Sequence, residues 1–81
     1  MLPTILTLNG FRFYFYPNEN NEPAHIHVQY QKAVAKFWIN PIALASNKGM
    51  NHSELKKADD LVRAHEQLIQ EKWNEFFSKK N

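Results

Sequence analysis

Two histidines alternate with apolar residues in the stretch Pro23-Ala24-His25-Ile26-His27-Val28-Gln29-Tyr30. In an extended strand, successive side chains point to opposite faces of the sheet. Ile26, Val28 and Tyr30 therefore lie on one face, and His25, His27 and Gln29 lie on the other. The stretch predicts a strand that buries one face in a core and presents its imidazoles on the second face.

The residues before this stretch predict a hairpin with the same two-faced pattern. Thr4 to Leu8 is a short strand candidate, and it is followed by Asn9-Gly10, a pair typical of tight hairpin turns. In the next predicted strand, residues 11–16, three phenylalanines alternate with Arg12, Tyr14 and Tyr16. The phenylalanines extend the predicted core face, and the alternating residues extend the histidine side.

The residues after the histidine stretch predict further strands. After a turn at Gln31-Lys32, the segment from Ala33 to Ile39 places Lys36 and Trp38 on the histidine side and its alternate residues on the core side. Asn40-Pro41 ends this strand, because proline cannot donate to a sheet ladder. Residues 42–45 are predicted as a short strand, with one helical turn as the alternative, and residues 46–49 are predicted as a turn.

The last third of the chain predicts an amphipathic helix. From about His52 to Phe77, apolar residues recur three and four positions apart, and Asn51 with Glu54 resembles a capping box. We therefore predict a single α+β domain over residues 1–81. It contains a small antiparallel sheet of four to five strands over about residues 4–45, with one long C-terminal helix packed on its phenylalanine face.

Composition limits the class of protein. The chain has 81 residues, of which 43% are hydrophobic and 14% aromatic, so a folded domain is expected rather than a disordered one. It has no cysteine, which excludes disulfides and thiol chemistry and fits a reducing cytosol. No apolar run approaches the roughly 20 residues that cross a bilayer. We expect a cytoplasmic protein without a membrane partner.

Net charge is a weak guide, but its distribution is informative. The formal net charge is only +2. The predicted helix is balanced in charge, whereas Arg12, Lys32, Lys36 and Lys48 in the sheet region face only the two carboxylates Glu19 and Glu22. The positive excess therefore belongs to the sheet, which is compatible with an anionic ligand.

The histidine side carries the candidate site. Imidazole both accepts and donates a proton near neutral pH, which suits metal-independent RNA cleavage. In this hypothesis one histidine deprotonates the ribose 2′-hydroxyl and the other protonates the leaving 5′-oxygen, while two cations stabilise the phosphorane. The catalytic candidates are His25, His27, Arg12 and Lys36. The candidates for substrate contact by stacking or hydrogen bonding are Tyr14, Tyr16, Gln29 and Trp38.

Three alternatives remain at this point. An uncovered face with three large aromatic side chains also fits a homodimer or a partner protein, with the histidines as polar interface members. A His-X-His pair supplies two metal ligands, and Glu19, Glu22 or His52 is a candidate third ligand, although solvated loop charges are the simpler interpretation of both glutamates. Nucleic-acid binding without chemistry is the third alternative. We assign neither a metal nor a cofactor.

Five segments together resemble a family of short bacterial proteins described only as a domain of unknown function. They are Gly10-Phe11-Arg12-Phe13-Tyr14-Phe15-Tyr16, Glu22-Pro23-Ala24-His25-Ile26-His27-Val28, Ala35-Lys36-Phe37-Trp38, Leu44-Ala45-Ser46-Asn47-Lys48-Gly49 and Trp73-Asn74-Glu75-Phe76-Phe77. The resemblance spans Gly10 to Phe77. In that family the His-Ile-His-Val run usually follows two prolines, and the second of them is Ala24 here.

The resemblance implies a function that the residues alone do not supply. Such proteins are often encoded beside a second small protein, in an arrangement like that of toxin–antitoxin pairs. This implies a toxin-like protein that has a small cognate antitoxin-like partner, and it favours Arg12, His25, His27 and Lys36 as site residues. It does not supply a reaction; together with the residues of the histidine side, it leads us to expect action on RNA or the ribosome. The alternative is a non-enzymatic protein- or nucleic-acid-binding module, dimeric or partner-bound, that regulates transcription.

Overall fold

A computed structural model of the chain describes residues 4–17 and 21–77. Within these ranges the chain forms a five-stranded antiparallel sheet and two helices, which confirms the predicted α+β class. The elements are β1 (Thr4–Leu8), β2 (Phe11–Tyr14), β3 (His25–Tyr30), β4 (Ala33–Ile39), β5 (Ile42–Lys48), α1 (His52–Ala64) and α2 (Glu66–Phe77).

The sheet is a simple meander in which each strand pairs with its neighbour in sequence, in the order β1-β2-β3-β4-β5. The predicted hairpin turn between β1 and β2 is confirmed. Asn9 and Gly10 both have positive φ angles, 52° and 84°, as the tight turns that match the twist of a hairpin require. Gln31, in the turn between β3 and β4, also has a positive φ of 55°.

The core lies on the predicted face of the sheet. The phenylalanines of residues 11–15 and the alternating apolar residues of β3 and β4 are buried, and so is one side of each helix. The buried core residues on the sheet are Phe11, Phe13, Phe15, Ile26, Val28, Ala35, Phe37 and Ile39. The buried helix residues that pack with them are Ala58, Val62, Ile69 and Trp73. Strand parity therefore predicted this layer correctly.

The helical segment is divided at His65 into two helices. The His65 backbone N–H donates to the carbonyl oxygens of both Leu61 and Val62, and its ring Nδ1–H donates to the Leu61 oxygen at 2.9 Å. The backbone and the ring of His65 thus both bond to carbonyl oxygens in the last turn of α1, and α1 ends at this turn. The Ile69 N–H still donates to the His65 oxygen, so the apolar spacing continues across the break. This continuity explains why periodicity predicted a single helix.

The start of α1 has the predicted cap. The Asn51 side chain accepts a hydrogen bond from the Glu54 backbone N–H at 2.8 Å, and the Glu54 carboxylate accepts one from the Asn51 backbone N–H at 3.1 Å. These reciprocal bonds satisfy two backbone donors at the helix start. No helix among the described residues is long and apolar enough to cross a membrane.

One predicted boundary is wrong. Residues 46–48 belong to β5, which pairs with β4 along its whole length, and do not form a turn. The pairing includes an irregularity, because Lys36 lies opposite Ser46 whereas the next residue, Phe37, lies opposite Leu44. One extra residue, Ala45, is accommodated there as a β-bulge. The extension of β5 adds side chains to the candidate site.

Candidate functional site

The strand register places the predicted site residues together. Residues that lie opposite each other on antiparallel strands share a face of the sheet. Three rows result, which are Tyr14–His27–Lys36–Ser46, Arg12–Gln29–Val34–Lys48 and His25–Trp38–Ala43. We call this surface the histidine face. Every predicted site residue that belongs to a strand lies in these rows, and Tyr16 follows β2 immediately outside its end. The expectation that His25 projects away from the core is wrong, because its buried ring packs against Trp73 of α2.

A groove on the histidine face, with a volume of about 280 Å³, runs over β4 and β5. We call it the lysine groove. It is lined by Tyr16, His27, Val34, Lys36, Ser46 and Lys48. None of these six side chains is acidic, and three of them are basic: His27, Lys36 and Lys48.

Aromatic neighbours hold the His27 ring in place. The ring stacks on Tyr14 at a centroid distance of 5.4 Å, and Tyr16 meets it edge-on at 4.7 Å. His25 makes a third, edge-on contact at 5.3 Å. His27 keeps only 8% of its surface exposed, at the groove. This packing restricts the ring to one orientation, as a side chain that transfers protons to a bound ligand requires.

His25 lies in the interior and has no exposed surface. Its Nδ1–H donates to the Pro23 carbonyl oxygen at 2.9 Å, and its ring centroid is 4.9 Å from that of Trp73 on α2. Trp38 contacts it edge-on at 5.8 Å. In this arrangement His25 supports the His27 ring and does not itself reach the groove.

Lys36 is paired with a carboxylate that the sequence did not identify. Its Nζ lies 2.7 Å from Glu22 Oε1 and 4.6 Å from the centroid of the Trp38 ring. The same Glu22 oxygen is 3.6 Å from His25 Nδ1. Glu22 is therefore a partly exposed loop charge that also pairs with Lys36. The side chains of Lys36 and Glu22 are 19% and 40% exposed, so solvent reaches the pair, and an anionic ligand that reaches the Lys36 ammonium group competes with Glu22 for it.

Arg12 lies beside the groove rather than in it. Its Nε donates to Thr4 Oγ1 at 3.1 Å and its Nη1 donates to Gln29 Oε1 at 3.0 Å. The guanidinium also lies 4.6 Å from the centroid of the Tyr14 ring. These contacts fix Arg12 and Gln29 one row away from His27. The roles assigned to both remain predictions.

The three aromatic residues of the histidine face do not form the uncovered patch that the sequence predicts. Tyr14 is only 3% exposed because Arg12, Tyr16 and His27 surround its ring. Trp38 is partly buried, and Tyr16, at 38%, is the most exposed of the three aromatic residues. Burial of Tyr14 by its own neighbours removes one reason to require a second protein over this face.

The described residues offer no complete metal site. In residues 4–17 and 21–77, no three histidine or carboxylate side chains converge in an arrangement that could hold a metal ion. Neither Glu22 nor His52 therefore completes a ligand set with the His25/His27 pair. Glu19, the other proposed ligand, lies outside the described residues.

Three groove residues were absent from the predicted site. Val34 shares the strand parity of Lys36 and Trp38, but an apolar side chain there gave no signal for a site. Ser46 and Lys48 were missed because residues 46–49 had been assigned to a turn. The length of β4 was the available signal, since a hairpin partner of a seven-residue strand is commonly of similar length.

Fold and site together define a small α+β domain with a basic groove on the sheet face opposite its helices. The chain belongs to the family described as "Domain of unknown function (DUF4160)", which matches residues 10–74. The match includes every residue that lines the lysine groove. No curated protein and no solved structure matches the chain.

Proposed function

We propose that this protein binds single-stranded RNA in the lysine groove and acts as the toxin-like member of a cytoplasmic toxin–antitoxin module. The observation that carries the proposal is the convergence of Lys36, Lys48 and His27 on one groove, where none of the lining residues that the structure describes is acidic. Lysine ammonium groups on neighbouring strands are suited to phosphate oxygens, which supply much of the affinity for nucleic acids.

Two further groove residues support RNA as the ligand. Tyr16 is 38% exposed at the groove, so its ring can stack on a base. The Ser46 hydroxyl offers a donor to phosphate or to the ribose 2′-hydroxyl. A groove of about 280 Å³ next to an exposed tyrosine ring suits unpaired nucleotides, whose bases are available for stacking.

Cleavage would use His27 as the proton acceptor. The imidazole takes the proton of the ribose 2′-hydroxyl, and the 2′-oxygen then attacks the adjacent phosphorus. The bond between phosphorus and the 5′-oxygen breaks, and the 5′-oxygen takes a proton from water. The products are a 2′,3′-cyclic phosphate and a 5′-hydroxyl end. Lys36 stabilises the negative charge on the phosphorane, and His25 acts as a positioning residue behind His27.

The resemblance described above supports the toxin-like role and a small protein partner. A bacterial gene-pair arrangement of this kind gives a toxin an antitoxin that binds and neutralises it. An RNA-directed toxin must act where translation occurs, which is consistent with a cytoplasmic protein. This part of the proposal depends on gene context, whereas RNA binding depends on the groove.

A non-enzymatic binding module is the second candidate, and the burial of His25 favours it. Acid–base cleavage by two histidines needs both rings within hydrogen-bond reach of the substrate. Only His27 lines the groove. A protein that binds RNA or a partner through this groove, and regulates transcription without any chemistry, would have the same lysines.

Expression in a bacterial host separates the two candidates. The protein expressed alone is expected to arrest growth, and the variant His27→Ala at the same level is expected to permit it. His52→Ala is the matched control, because His52 is an exposed residue at the start of α1 and does not line the groove. Growth unaffected by the parent protein, or arrested equally by His27→Ala, would support the binding module instead.

A further inference from the structure

We propose that β5 is the docking edge for an extended acidic segment of a partner protein, which pairs with it as a sixth strand and borders the lysine groove. The position and charge of β5 carry this inference. It rests on the proposed function only in the consequence that carboxylates at the border of the groove compete with RNA for Lys48.

The first observation is that β5 lies at an edge of the sheet. Among the described strands it pairs with β4 alone, so one side of its backbone has no strand partner. Five of its seven residues are exposed, and Leu44 keeps 46% of its surface. A strand edge of this kind accepts an added strand through main-chain hydrogen bonds, with side chains that give specificity.

The second observation concerns charge. Residues 31–50, which contain β4 and β5, have three lysines and no aspartate or glutamate. Lys36 reaches outside this segment to Glu22, whereas Lys48 forms no ion pair with any residue in the described ranges. An added strand with carboxylates on one face would supply the missing countercharge to Lys48.

Charge also argues against a second copy of the chain as the occupant. Two β5 edges paired with each other would bring together strands that have a lysine and no carboxylate. An acidic segment removes this conflict of charge.

The other edge of the sheet offers a different surface. β1 lies beside α2, and the shallow depression there is lined by Ile5, Phe76, Lys72 and Glu75, which include both charges. The β1 edge is therefore not uniformly basic, whereas β5 has a lysine and no acidic residue. The groove, in contrast, has Ser46 and Lys48 of β5 along its border, so a strand added to β5 would place its carboxylates next to Lys48, with Lys36 one strand further in.

A synthetic strand tests the inference. The probe is an end-blocked peptide of about eight residues in which valine and glutamate alternate. One control replaces glutamate by lysine, and a second has alternate backbone nitrogens methylated along one edge, which removes main-chain donors without changing charge. Binding is followed through the amide signals of the ¹⁵N-labelled full-length protein by NMR.

We expect the acidic peptide to shift the amide signals of residues 42–48, to slow their hydrogen exchange, and to bind at least about tenfold more tightly than either control. In Lys48→Glu, a change at an exposed position, the preference for the acidic over the lysine peptide is expected to fall or reverse. The inference would be overturned if the lysine peptide or the methylated peptide bound as tightly as the acidic peptide. It would also be overturned if the shifted amide signals lay only in other elements, or if the protein formed a dimer through β5.

Competition with RNA distinguishes this inference from the proposed function. If the peptide pairs with β5 and an RNA oligonucleotide does not bind the groove, the proposed function fails and the docking edge stands. If RNA binds the groove and the acidic peptide does not bind β5, the inference about β5 is wrong and the proposed function is unaffected. If both are correct, the peptide displaces RNA from the parent protein.

Discussion

Replacement of His27 by alanine is expected to lower the rate of RNA cleavage by a factor of about 10² to 10⁴, the usual contribution of a positioned acid–base group. His27 is the histidine that lines the groove, and its ring is held by Tyr14, Tyr16 and His25. The measurement is single-turnover cleavage of a labelled single-stranded RNA by purified protein, with product ends identified as cyclic phosphate.

Two controls make this result specific. His52→Ala, at an exposed position outside the groove, is expected to cleave at the parent rate. His27→Gln keeps a hydrogen-bonding side chain but does not transfer protons at neutral pH, and it should be as slow as His27→Ala while RNA affinity changes little. Unchanged cleavage in both His27 variants would show that His27 is not the proton acceptor.

Trp73→Ala is expected to lower the free energy of unfolding by about 3–5 kcal/mol. Trp73 is only 8% exposed and joins α2 to the sheet through ring contacts with Phe15, at 5.2 Å between centroids, and with His25, at 4.9 Å. A domain of this size has a total stability of roughly 5–15 kcal/mol, so the loss is a large fraction of it. Urea denaturation followed by circular dichroism measures the change.

Phe76→Ala is the matched control on the same helix. Phe76 is 37% exposed and its ring centroid lies 6.2 Å from that of Phe15. Because less of its apolar surface is buried, the loss is expected to be roughly half that of Trp73→Ala or less. Equal losses in the two variants would contradict the assignment of Trp73 as the residue that anchors α2 beneath His25.

The two-layer fold was predictable because the alternation of side chains is regular in three consecutive strands. Phe11, Phe13 and Phe15 on one side, against Arg12 and Tyr14 on the other, already indicate which face is buried. The same parity brought Arg12, His27 and Lys36 to one surface. Strand pairing in a meander then required only short turns, which Asn9-Gly10 and Gln31-Lys32 supply.

Contacts between distant segments were not predictable in the same way. Parity places His25 on a face, but it does not reveal that Trp73 of α2 packs against the ring. The Glu22–Lys36 pair joins a loop to a strand fourteen residues further on, and nothing in local sequence selects that partner. The break at His65, where the ring bonds to the Leu61 oxygen, leaves the apolar spacing unchanged, so periodicity does not reveal it.

The central claim is that Lys36 in the groove binds an RNA phosphate and that Glu22 competes with that phosphate. The most direct measurement is the affinity of four proteins for a single-stranded RNA of about ten nucleotides at several salt concentrations. They are the parent, Lys36→Gln, Glu22→Gln and Lys56→Gln. Lys56→Gln is the matched control, because Lys56 also pairs with a carboxylate, that of Asp60, but lies on α1 outside the groove.

We expect Lys36→Gln to weaken binding by about tenfold or more and to reduce the slope of log affinity against log salt by about one. Glu22→Gln is expected to tighten binding by a few-fold, since it frees the Lys36 ammonium group, and Lys56→Gln is expected to leave the affinity unchanged. Equal affinities for Lys36→Gln and Lys56→Gln, or weaker binding by Glu22→Gln, would contradict the claim.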